Sequence, residues 1–135
     1  MEFFRFIQIK TRDETIQNDL TIENLQLMSN EIFIIGEHNK TMAKIGGIWG
    51  EFTLTRTFIR GGVRFALTEC PNALTWTITT GLDPNPEVIV IHLTINRQEQ
   101  KASLIEEIED FLDDQRVCLQ QYFNGILSKE KITKG

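Results

Sequence analysis

A chain of 135 residues, 41% hydrophobic and 24% charged, is sized for one domain around one buried core, and is too apolar for a disordered protein. Its net charge of −5 comes from one acidic segment, Glu106, Glu107, Glu109, Asp110, Asp113 and Asp114, without which the chain is close to neutral. No apolar run approaches the ~20 residues of a membrane helix, no basic stripe suited to phosphate backbones is present, and the opening MEFFRFIQIK lacks a signal-peptide core. A cytoplasmic protein that spans no membrane and binds no nucleic acid is expected.

In chain order, Glu2 to Lys10 is rich in aromatic and β-branched residues and predicts a strand, followed by a polar loop or helix entry at Thr11 to Asp19. Ile16, Leu20, Leu25 and Met28 then keep a roughly helical period with Asp19 or Thr21 available as N-cap, although short strands would suit the same residues; a helix is preferred. Glu31 to Glu37 and Thr41 to Ile45 read as strands joined by the turn residues His38-Asn39-Lys40, and Gly46-Gly47 breaks the chain.

The middle of the sequence alternates with a period of two. Phe52, Leu54, Arg56 and Phe58 share one face, with Thr53, Thr55 and Thr57 on the other. A hairpin turn at Gly61-Gly62 would set Phe58 opposite Phe65 and Arg56 opposite Leu67. Leu74, Trp76 and Ile78 form the next apolar column, and a turn at Pro71-Asn72 would place Trp76 opposite Leu67 and Ile78 opposite Phe65. The run EVIVIHLTIN from Glu87 to Asn96 predicts a central strand covered on both faces. Ser103 and Glu106 form a capping box for a final helix, whose apolar stripe is Ile105, Ile108, Phe111, Leu112, Leu119, Tyr122, Phe123 and Ile126. Acids crowd its first turns, Asn124-Gly125 reads as its C-cap, and 128–135 as a frayed tail, leaving a domain over 1–127.

The expected class is therefore α+β: an antiparallel meander of five to seven strands packed on a long C-terminal amphipathic helix. This order of elements resembles the helix-grip architecture of the START and Bet v 1 lipid-binding proteins, in which a curved sheet wraps around the last helix. The likeness lies in element order across most of the chain, not in a motif, and implies a hydrophobic small molecule held between sheet and helix. An open sheet covered on one face, as in many small dimeric proteins, fits the same order.

Few residues carry chemistry. His92 sits in an apolar run with neither an orienting carboxylate nor a nucleophile in the sequence around it, so a hydrogen-bonded structural role is favoured over a base or ligand. Glu37, His38 and His92 could make a metal site only if folding joined them, and Cys70 and Cys118 lack ligand spacing; no cofactor is indicated. Arg56 interrupts an apolar column: it either snorkels or pairs with Glu69 or a helix acid, or else anchors an anion in a cavity. Trp49, flanked by glycines, either lines a pocket mouth or staples the strand entry. Arg56, Arg60 and Arg64 cluster around the glycine turn as a small basic tip.

The threonine face, including Thr77, joins Ile59, Val88, Val90 and His92 in a weakly polar surface whose apolar members favour burial. Three function classes follow. The preferred one is a non-enzymatic protein-interaction module, homodimeric through this sheet face or working with a protein partner. The second is a binding protein or sensor for a hydrophobic small molecule between sheet and C-terminal helix. The third is an enzyme of unrecognised type.

Overall fold

Seven strands, most of them alternating in burial, and three helices make up most of the described residues. The computed structural model describes residues 1–96 and 101–134, with side chains as far as residue 125. The elements are β1 (Glu2–Ile7), α1 (Asp13–Asp19), α2 (Leu25–Met28), β2 (Ile32–His38), β3 (Met42–Gly47), β4 (Phe52–Ile59), β5 (Gly62–Leu67), β6 (Thr75–Thr79), β7 (Ile89–Thr94) and α3 (Ala102–Lys134). All seven strands form one antiparallel sheet in the order β1-β7-β6-β5-β4-β3-β2. Strands β2 to β7 are a meander, and β1 joins at the edge of β7. Because β1 and β2 occupy opposite edges, the chain must cross the sheet between them; α1 does so against β5 and β6, and α2 packs on β2 and α3.

One face of the sheet carries the core. Ile7, Leu54, Phe65, Trp76, Ile91 and Leu93 meet Ile108, Phe111, Leu112, Leu119 and Phe123 of α3, each no more than 2% exposed. Phe111 packs edge-on against both Trp49, at 4.9 Å between ring centroids, and Trp76, at 5.2 Å. Such aromatic contacts add to the stabilisation from burial.

Several expectations change in detail. The β4–β5 turn is Arg60-Gly61, not Gly61-Gly62: Ile59 pairs with Gly62, Phe58 with Val63 and Arg56 with Phe65. Gly61 takes the left-handed φ of +88°, while Gly62 belongs to β5, where a Cβ would lie 2.0 Å from the Ile78 carbonyl oxygen. The β5–β6 register differs likewise, with Phe65 opposite Trp76 and Val63 opposite Ile78. Both slips are of two residues, which a period of two cannot detect and which leave every side chain on its expected face.

The region from 13 to 28 forms two short helices instead of one. Neither Asp19 nor Thr21 caps a helix; Arg12 and Asn24 hold the N-cap positions without a side-chain cap bond. The break is closed locally, with the Asn24 side-chain amide donating to the Asp19 carbonyl at 2.8 Å. Ile16, Leu20, Ile22, Leu25 and Met28 are all buried, which explains why helical and strand spacings both fitted them. β7 is second from an edge rather than central, and only one face is covered: Ile89, Ile91 and Leu93 are buried, while Val90, His92 and Thr94 are partly exposed.

Helix α3 begins at Ala102, and the Lys101 carbonyl accepts from the Leu104 and Ile105 amides. Ser103 thus lies inside the first turn, which holds no acid. The helix passes through Asn124-Gly125 to Lys134, because one interior glycine costs only about 1 kcal/mol. The side chain of Ile126 and those of the expected tail lie outside the described residues. Among the described residues no helix is long and apolar enough to cross a membrane.

Truncating Phe111 to alanine removes the ring between the two tryptophans and should lower unfolding free energy in urea by ~3–5 kcal/mol. Glu109→Ala, on the exposed side of the same helix, should change it by less than about 0.5 kcal/mol. Comparable losses would show that the stripe is not the core-forming face.

Candidate functional site

The face of the sheet opposite α3 carries a groove, and alternation along the strands explains its lining. With Phe3, Arg5 and Ile7 turned toward the helix side, β1 presents Phe4 and Phe6 outward at 45% and 47% exposure. β7 presents Val90 and His92 beside them, β6 presents Thr77 and Thr79, and Ile59 and Arg60 close one end. The β6–β7 loop stands along the groove through Leu82 to Asn85, enclosing a cavity of about 450 Å³. Hydrogen bonds from Thr80 Oγ1 to the Val88 carbonyl, at 3.0 Å, and from the Gly81 amide to the Pro86 carbonyl, at 3.1 Å, brace that wall.

Four of the residues singled out in sequence, Ile59, Thr77, Val90 and His92, therefore meet in one place. Phe4 and Phe6 were not foreseen there, although the alternation Phe4-Arg5-Phe6 was a usable signal once Arg5 is turned to its ion pair with Asp113 at 2.8 Å. Val88 is buried at 8% exposure and does not line the groove. His92 is held on two sides: its ring stacks on Phe4 with centroids 4.3 Å apart, and Nε2 lies 3.1 Å from Glu2 Oε1.

The other two candidates serve the fold. Trp49 turns from the β3–β4 connection onto Phe111, a contact that suits a staple at the strand entry. Its Nε1, that of Trp76 and Oε1 of Gln115 are buried without a hydrogen-bond partner among the described residues. Arg56 neither snorkels nor pairs with Glu69 or an acid of α3. Only 8% exposed, it donates from Nε to the Leu20 carbonyl at 2.7 Å and from Nη2 to the Gln17 carbonyl, capping the end of α1. Its guanidinium lies 5.0 Å from the centroid of Phe58, a ring that β3 leaves uncovered and 63% exposed. Burial lowers the Arg56 pKa, an effect opposed by Glu23. Glu69 instead accepts from the Thr53 amide at 2.8 Å.

Among the described residues no group of three His, Cys, Asp or Glu side chains could hold a metal ion. Glu37 and His38 line a separate hollow at the β2–β3 hairpin, away from His92. Cys118 lies 3.7 Å from Asp114, which also accepts hydrogen bonds from Ser29 and Asn30. Burial, then the Asp114 charge, raises its thiol pKa.

With the geometry described, the fold can be compared with known structures. A solved START superfamily protein from Mycobacterium smegmatis superposes with a TM-score of 0.58 at 11% identity, over 93% of this chain and 98% of that one. The likeness is one of fold. No protein-family model and no curated protein matches the chain. The antiparallel sheet with its long C-terminal helix is thus the START-like, helix-grip arrangement that the order of elements resembled.

Arg56→Leu strands two carbonyls and should cost about 2–3 kcal/mol in denaturant unfolding, with Arg56→Lys intermediate because an ammonium cannot fork between both. An unchanged stability would remove the capping role. For Cys118, a raised folded pKa favours the native state below the unfolded thiol value of about 8.5, and this contribution is lost as pH rises through the folded value. Stability should therefore fall across that alkaline window, and Cys118→Ser should flatten that part of the profile.

Proposed function

We propose that this chain is a binding module for a hydrophobic small molecule, with the outer-face groove as its site. The observation that carries this reading is the groove itself: an apolar floor of Phe4, Phe6, Val90 and Ile59, a loop wall, and a few polar groups from Thr77, Thr79 and His92. Its volume of about 450 Å³ falls within the range of ~300–1,000 Å³ common for small-molecule sites. Leaving such aromatic surface in water is unfavourable, and an apolar ligand would relieve that cost.

The START-like fold supports a ligand of this class, since the helix-grip resemblance is to lipid-binding proteins. The space between sheet and helix is a poorer home for it here. Phe65, Trp76, Ile91, Leu93, Ile108, Phe111 and Leu112 are at most 1% exposed, so this part of the space is closely packed. The groove offers shape and apolar contact rather than a reacting pair, because its one imidazole is occupied by Glu2 and Phe4.

A second copy of the chain is the competing occupant. The loop wall argues against it, because two such faces brought together would leave their grooves unfilled, and voids forfeit packing energy.

Calorimetric titration with decanol tests the site. The wild-type protein should bind decanol and sediment as a monomer at micromolar concentration, and Val90→Trp, which fills the groove, should weaken binding at least tenfold. Equal binding by Val90→Trp would exclude the groove. A wild-type dimer dissociated by Val90→Glu would give the face to self-association.

A further inference from the structure

The basic tip seen in sequence is divided by the fold. Arg56 turns inward to cap α1, whereas Arg60 and Arg64 stay exposed on the outer side. Arg60 lines the apolar groove and, together with Leu82, also lines an adjoining polar pocket of about 300 Å³ that contains Thr11, Arg12 and Thr80. The two hollows therefore adjoin at Arg60 and Leu82. Among the described residues, neither the Arg12 nor the Arg60 side chain takes part in a hydrogen bond or an ion pair.

Resting on the groove as the binding site, we infer that the ligand is an amphipathic anion. Its apolar chain lies along Phe4, Phe6 and Val90, and its carboxylate head lies at Arg60 and Arg12. A guanidinium presents paired donors that match a carboxylate, and next to apolar surface such a pair is less weakened by solvent than in open water. A neutral chain would leave both arginines unused, and a cationic head would be repelled by them.

Two acids, Asp13 and Asp83, also face these hollows and oppose an anion, so Arg12 and Arg60 must outweigh them. Asp13, in the polar pocket, accepts the Glu14 amide at 2.9 Å and so has an intrachain partner. Asp83 lines the groove from the opposite loop and is exposed. At the other end, Arg64 and His92 border a neighbouring hollow, but Glu2 already holds His92 there and would repel an anion. The Arg60 end is thus the one suited to a carboxylate.

Three probes of equal chain length separate the head group from the groove: decanoate, decanol and decylammonium, titrated calorimetrically into the 135-residue chain. Decanoate should bind at least tenfold tighter than decanol, and Arg60→Gln should bring decanoate down to the decanol level without changing decanol itself. Arg12→Gln should act in the same direction, and Asp83→Asn should not weaken decanoate. Equal affinities for decanoate and decanol, or tightest binding of decylammonium, would overturn the anionic head while leaving the groove as the site. Failure of all three to bind would overturn the groove together with its ligand.

Discussion

The crossing of the chain from one edge of the sheet to the other depends on Arg56. A charged side chain in an apolar column is normally a fault, since desolvating a guanidinium is costly unless its donors are matched. Here α1 ends directly over it, and the carbonyls of Gln17 and Leu20, which a seven-residue helix cannot satisfy within itself, supply acceptors. Two liabilities offset each other. Gln17 also reaches back with its amide to the carbonyls of Ile59 and Gly62, each at 3.2 Å, so the same helix end holds the β4–β5 hairpin on which Arg60 stands.

In the helix-grip arrangement one face of the sheet packs on α3 and the other carries the groove. Phe111 packs edge-on against Trp76 and the partly buried Trp49 between sheet and α3. Among the described residues no helix covers the side chains of β1, β6 and β7 that point away from α3. Fold and site are thus separable: the sheet supplies rigid spacing, and the identity of alternate residues decides which side is filled and which is left available.

What could be read from sequence divides along physical lines. The face assignments of β4 to β6 and the apolar stripe of α3 were legible because period carries them. The strand registers were not, since a slip of two residues changes no face; only the backbone demands at Gly61 and Gly62 fix them. Ile59, Thr77, Val90 and His92 could be named as surface residues of interest, but their meeting with Phe4 and Phe6 depends on β1 pairing with β7, a contact far along the chain. The partners of Arg56 were hidden for a different reason: backbone carbonyls have no sequence signature, so an arginine that caps a helix reads as one in search of an acid. The ends of α3 escaped because capping residues are common enough to occur inside a helix without acting.

The pairing of β1 with β7 also bears on how the protein is made. Glu2 and His92 are 90 positions apart, and β1 has no other strand beside it. During synthesis Phe4 and Phe6 therefore emerge early and wait, without a strand partner, until almost the whole sheet has followed them. The nascent chain carries an aromatic segment of the kind that chaperones shield, and closing so long a loop adds an entropic cost to the last step of sheet assembly. A molecule bound across β1 and β7 would favour the completed sheet over any form with β1 detached, so occupancy would hold the first strand in place.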